Sequence, residues 1–126
     1  MNGGDTLIIP NPRDKFDPHL WVVISEPKWD PAKVVLVNFS SFHGQADRSC
    51  ILRVGDHPFI KHDTFVFYYH AKCEKLGSLE VLLSRSLIQN HARVTDNVLA
   101  RIRKGAGVSD YMPNGPRQVL IDQGHI

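Results

Sequence analysis

The chain is poor in cysteine: Cys50 and Cys73 are the only two in 126 residues. They form no CxxC and no zinc spacing, which excludes a disulfide-built scaffold and a cysteine zinc site. The expectation is two reduced thiols, at least one of them buried, in a cytosolic protein; a single disulfide is the alternative. Long apolar runs are lacking too. No segment approaches the ~20 residues needed to span a bilayer. The start MNGGDTLIIP has no basic residues and too short an apolar run for a signal peptide. The reading is therefore cytoplasmic, without a membrane partner. Internal repeats and low-complexity stretches are absent, and neither charge sign dominates. Fifteen Lys and Arg against 13 Asp and Glu leave a net charge of +2 and a pI near 8.6. Such a mild basic balance gives a nucleic-acid partner weak support.

What is present is an ordinary apolar share, 42%, in a chain long enough for one domain over 1–126 with its own core. Histidine is in surplus: seven, at 19, 43, 57, 62, 70, 91 and 125. The first half reads as strands separated by turns. DTLIIP ends at Pro10, and NPRDKFDP is a loop. HLWVVISE and AKVVLVNFS are apolar, β-branched runs expected as buried strands, with PKWDP as the turn between them. SFHGQADR is a polar loop, SCILRV a short strand, GDHP a turn and FIKHDTFVFYYH a longer strand region. In the turn, Gly55 permits positive φ, Asp56 can cap it and Pro58 fixes its exit.

The second half changes period. Leu79, Leu82, Leu83, Leu87 and Ile88 share one helical face, predicting a helix over 78–91 with Ser78 as N-cap. A second helix is expected over 95–104, with Thr95 as cap, Val98, Leu99 and Ile102 inward, and Gly105 as the stop. In the tail 106–126, GVSDYMPNGP reads as mostly loop, and RQVLI could add an edge strand or dock on a partner. The fold class is mainly β with C-terminal helices: a strongly bent antiparallel sheet over about 4–70, with the helices of 78–104 on one side.

The stretches GDTLIIP, HLWVVIS and KVVLVNFSS, then GDHPFIKHDTFVFYY and VTDNVLARIRKG, resemble the PemK/MazF-like toxins of bacterial toxin–antitoxin systems. The likeness is one of element order, from about Gly4 to Gly105. It implies an SH3-like small barrel, usually a homodimer, with a cognate antitoxin as partner. It also implies an endoribonuclease that needs no metal or other cofactor and cleaves RNA by attack of the 2′-hydroxyl on the adjacent phosphate. The same fold serves toxins that poison DNA gyrase, so the alternative is a non-catalytic module that binds a protein target. Two departures bear on the chemistry. Where the family carries Arg-Pro at the second strand, this chain has His19-Leu20. Where the PemK branch carries an Arg and an Asp, it has Phe65-Val66-Phe67-Tyr68-Tyr69-His70. The Ser/Thr ending the third strand carries over onto Ser40 and Ser41.

RNA cleavage through the 2′-hydroxyl needs a base, an acid and a stabiliser of the crowded phosphate. Histidine suits both proton roles. His19 is read as an acid or phosphate contact, or as a half-exposed strand-start residue. Ser40 and Ser41 either bond the phosphate or the base, or only open the next loop. With His19 they form the catalytic candidates. Substrate-binding candidates are Arg13 and Lys15 in the first loop, His43 and Arg48 in the third, and His57 at the turn; for the loop residues the alternative is a solvated charged loop. His57, His62 and Asp63 lack a metal-ligand spacing, and no metal is expected. His62 is read as structural or exposed, its removal nearly silent. Tyr68, Tyr69 and Trp21 are read as core or dimer contacts.

Overall fold

A computed structural model of the protein describes residues 1–27 and 33–126, with Lys15 and Phe16 by backbone alone. The PKWDP turn thus lies largely outside the described residues. Among those described, seven strands form one antiparallel sheet: β1 Thr6–Asn11, β2 Asp14–Val23, β3 Lys33–Ser41, β4 Ile51–Leu52, β5 Thr64–Val66, β6 Lys72–Lys75 and β7 Gln89–His91. Three helices accompany it: α1 Leu76–Ser84, α2 Asp96–Val108 and α3 Asn114–Asp122. The path β4-β5-β3-β2-β1-β7 has two ends that do not meet among the described residues, so the sheet is not closed into a barrel.

The central strand explains the architecture. KVVLVNFSS is buried along six consecutive residues, so both of its faces are covered. Side chains alternate across the sheet. Leu20, Val22, Val35 and Val37 face one core with Val98, Ile102 and Leu120 from α2 and α3. Leu7, Val23, Val34 and Leu36 face the other, with Leu79 of α1 and Ile88. The expected helices on one side are therefore corrected to helices on both.

The long strand expected over 59–70 is broken. β5 pairs with the end of β3 (Ser41↔Thr64) and β6 with its beginning (Lys33↔Lys75). Between them a 3-10 turn, Tyr68–His70, leaves the ladder, and Tyr68 points inward to donate to the Ile102 carbonyl at 2.7 Å. The helix expected over 78–91 starts earlier, without a cap bond from Ser78, and stops at Ser84. Ser86 takes φ +57°, and Gln89–His91 turns back to pair with β1, which would otherwise be an edge. Thr95 caps α2 as expected, accepting from Val98 N at 3.2 Å. Gly105 does not stop the helix: it sits inside it, where α2 presses against Tyr68 and Cys50. The tail carries α3, in which Pro116 falls in the first turn, where a backbone N–H has no helical partner to lose.

Both cysteines are free, and burial pushes the Cys50 thiol up to about 11. Among the described residues no helix is long and apolar enough to cross a membrane.

Candidate functional site

β2 and β3 pair only over Trp21–Val23 and Leu36–Asn38. Beyond that point a cleft of about 200 Å³ lies between the start of β2, the end of β3 and the 59–64 segment. Its polar lining is Asp17, His19, Ser40, Ser41, Lys61, His62 and Thr64, over a floor of Leu20, Phe39 and Ile60. The three catalytic candidates from the sequence therefore share one cleft.

His19 is held by hydrogen bonds on both ring nitrogens. Asn11 takes the Arg13 backbone N–H on its Oδ1 at 3.0 Å, so its Nδ2 donates to His19 Nε2 at 3.2 Å. A neutral imidazole that accepts at Nε2 must donate at Nδ1. The Asn38 amide stands 3.4 Å from that nitrogen, and its Oδ1 is buried with no partner. With the amide turned over, Oδ1 takes the Nδ1 proton. Of the two tautomers of the uncharged ring, the two amides select the one with its hydrogen on Nδ1 and its lone pair on Nε2.

His62 comes into the cleft through pairing, not through its own surroundings in sequence. Ser41 opposes Thr64, and the turn before it places His62 Nε2 2.8 Å from Ser41 Oγ. Sequence reading missed this role; the signal, β3–β5 register, is not local. His70 is the second residue missed. Its ring stacks on Phe67 at 4.1 Å, nearly parallel. Burial lowers its pKa below the ordinary value, and the nearby charges of His19 and Arg13 lower it further. His70 thus interacts with His19 and Arg13 by charge, and neither His70 nor Arg13 lines the cleft.

The remaining candidates fall elsewhere. His57 is 3% exposed, donating from Nε2 to the Ala92 carbonyl at 2.5 Å and accepting the Phe59 N–H on Nδ1 at 3.0 Å. Burial lowers its pKa, and it serves the fold by tying the turn to the segment after β7. A metal set of His57, His62 and Asp63 is therefore not assembled, and no group of three or more His, Cys, Asp or Glu gathers among the described residues. His43 packs edge-on to Phe65, and Arg48 lies over the Phe42 ring at 5.0 Å; both are exposed and outside the cleft. The Lys15 side chain lies outside the described residues.

A larger cavity, about 770 Å³, opens between α2 and α3, and its two arginines are engaged. Arg103 bonds the Ile24 carbonyl and Glu26, and Arg117 the carbonyls of Gly107 and Ser109. It offers no opposed proton donors and acceptors like those of the cleft. Comparison with protein-family models, with curated proteins and with solved structures finds no match to this chain.

Proposed function

We propose that the protein is an endoribonuclease that cleaves single-stranded RNA within the cleft without a metal ion. One observation carries the reading: two imidazoles, an ammonium, a carboxylate and three hydroxyls line one small cleft. They include the groups that 2′-hydroxyl attack on a phosphate requires. The hydrogen bonds support a division of labour. His19, in the tautomer with its lone pair on Nε2, takes the 2′-hydroxyl proton once substrate displaces Asn11. Protonated His62, steadied by Ser41, gives its proton to the departing 5′-oxygen. Lys61 and the hydroxyls of Ser40 and Ser41 stabilise the phosphate, and Arg13 attracts the strand by charge. The products are a 2′,3′-cyclic phosphate and a free 5′-hydroxyl.

The element order that resembles PemK/MazF-like toxins supports the same chemistry and adds a homodimer and a cognate antitoxin. On this reading the bent sheet is an opened version of their SH3-like barrel. A second reading, a non-catalytic toxin that binds a protein target, is favoured by the absence of an Arg–Asp pair over 65–70. The test is incubation with single-stranded RNA in EDTA, with end-group analysis. Fragments ending in cyclic phosphate, absent when every 2′-hydroxyl is methylated, are expected. Growth arrest on expression with no cleavage of any RNA would hand the case to the second reading.

A further inference from the structure

Beside the cleft lies a second, aromatic pocket of about 270 Å³, walled by His43, Phe65, Phe67, Tyr69 and Tyr111. We propose that it is a nucleobase subsite, stacking one base of the RNA against Tyr69 and Tyr111. This rests on the endoribonuclease reading and extends it to how the strand is held.

Four observations carry the assignment. The first is exposure. Tyr69 and Tyr111 are 66% and 59% exposed, although both line a pocket floored by phenylalanines. Rings left open over an apolar floor mark a binding site. The second is ring order. Phe65 and Phe67 lie 5.2 Å apart and Phe67 and Tyr69 6.2 Å, while His43 meets Phe65 edge-on. A flat ligand can continue such a series, and every base has a π-face to offer.

The third is that the walls are pinned together. Tyr111 comes from the segment between α2 and α3, far in sequence from the 43–47 loop. Its backbone N–H donates to Ser109 Oγ at 3.1 Å, and Ser109 donates to Asp47 at 2.6 Å. Asp47 also takes the Ser49 hydroxyl and N–H. With both oxygens occupied, this carboxylate fixes the pocket's shape. His43, which accepts the Gln45 N–H on Nδ1, keeps an Nε2–H donor for a base edge.

The fourth is continuity with the cleft. Phe65 is the cross-strand partner of Ser40. His43 follows two residues after Ser41, where β3 ends. The pocket and the cleft are thus joined through the Ser40–Phe65 pair, so one strand of RNA can reach both. The volume suits one planar ring system, so the strand must be single.

The test is fluorescence anisotropy with an end-labelled 2′-O-methyl oligonucleotide, which binds without being cut. Tyr69→Ala and Tyr111→Ala should each weaken binding roughly 5- to 150-fold, the range for loss of a stacked base. Tyr111→Phe, which keeps the ring, should bind as the unaltered protein does. Wild-type binding that neither alanine substitution weakens would overturn the subsite and leave the nuclease reading standing. No oligonucleotide binding by the unaltered protein would overturn both. Should Tyr111→Ala convert a dimer to a monomer in sedimentation with oligonucleotide affinity unchanged, the face binds a second copy and the proposal fails. On the unaltered protein, free adenosine should shift the tyrosine ring resonances and choline should not; the opposite preference would also overturn it.

Discussion

Replacing Gly105 with alanine sets two effects of opposite sign against each other. In an exposed helix the change would stabilise by about 1 kcal/mol, through helix propensity. Here an added Cβ would overlap the Tyr68 hydroxyl and stand 2.9 Å from Cys50 Cβ and 3.0 Å from the Ser49 carbonyl. The last of these is backbone and cannot swing aside. Forcing a methyl into such a contact costs about 1–3 kcal/mol. Displacing the Tyr68 hydroxyl from Ile102 leaves a buried polar group unpaired, at about 1–3 kcal/mol more. Against the propensity gain, the net loss should be about 1–5 kcal/mol. At roughly 4 °C per kcal/mol for a chain of this size, the melting temperature should fall by roughly 4–20 °C. Circular dichroism melting reads this directly. Tyr68→Phe supplies a control: without the hydroxyl, Gly105→Ala should cost less than in the wild type, so the two changes should not add. A Gly105→Ala protein that melts at or above the wild-type temperature would refute the packing of α2 against Tyr68.

Three further outcomes follow from the hydrogen-bonded residues. His57 has its pKa lowered by burial, so the unfolded chain binds that proton more readily than the native one. Its contribution is complete above the ordinary value of 6.5 and is lost as pH falls through the native value. The urea midpoint should therefore drop between pH 7 and 5, and less steeply in His57→Gln. For Asp47, burial pushes the pKa up, but bonds from Ser109 and Ser49 outweigh it and hold it below 3.8. Asp47→Asn should cost about 1–3 kcal/mol in denaturant unfolding above that pH, the scale of hydrogen bonds to a charged group, and should weaken oligonucleotide binding with the Tyr111 wall unpinned. Ser41→Ala should lower the cleavage rate about 10-fold, less than either histidine substitution, because it removes one hydrogen bond from the cleft and no proton carrier.

How much of this was legible in the sequence depends on whether the signal was local. The strands of HLWVV and KVVLVNF were readable because β-branched apolar runs bounded by Pro and polar loops have few other uses. Thr95 was readable as a cap because its bond spans three residues. The interruption at Tyr68–His70 was not, because Tyr68 leaves the ladder to reach Ile102, 34 residues on. Leu87 and Ile88 continued a helical period, yet the chain had already turned at Ser86, drawn to the open edge of β1. In α3 the Asn, Gly and Pro that suggested a loop fall in the first turn, where they are tolerated. The site divides in the same way. Ser40 and Ser41 stand at the end of β3, while His19 lies within β2, which starts at Asp14 and not at the expected boundary; all three line the cleft. His62 joins them only through the β3–β5 register, and Tyr111 joins Phe65 only through Asp47 and Ser109.

The central claim is that His19 and His62 act as base and acid in one cleft, and a pH–rate profile of RNA cleavage in EDTA tests it most directly. The unaltered protein should give a bell-shaped profile. His19→Ala should lose about 10²–10⁴-fold in rate together with the acidic limb, and His62→Ala a similar factor together with the alkaline limb. Cleavage whose rate and profile are unchanged by either substitution, or no cleavage of any RNA by the folded protein, would contradict the account.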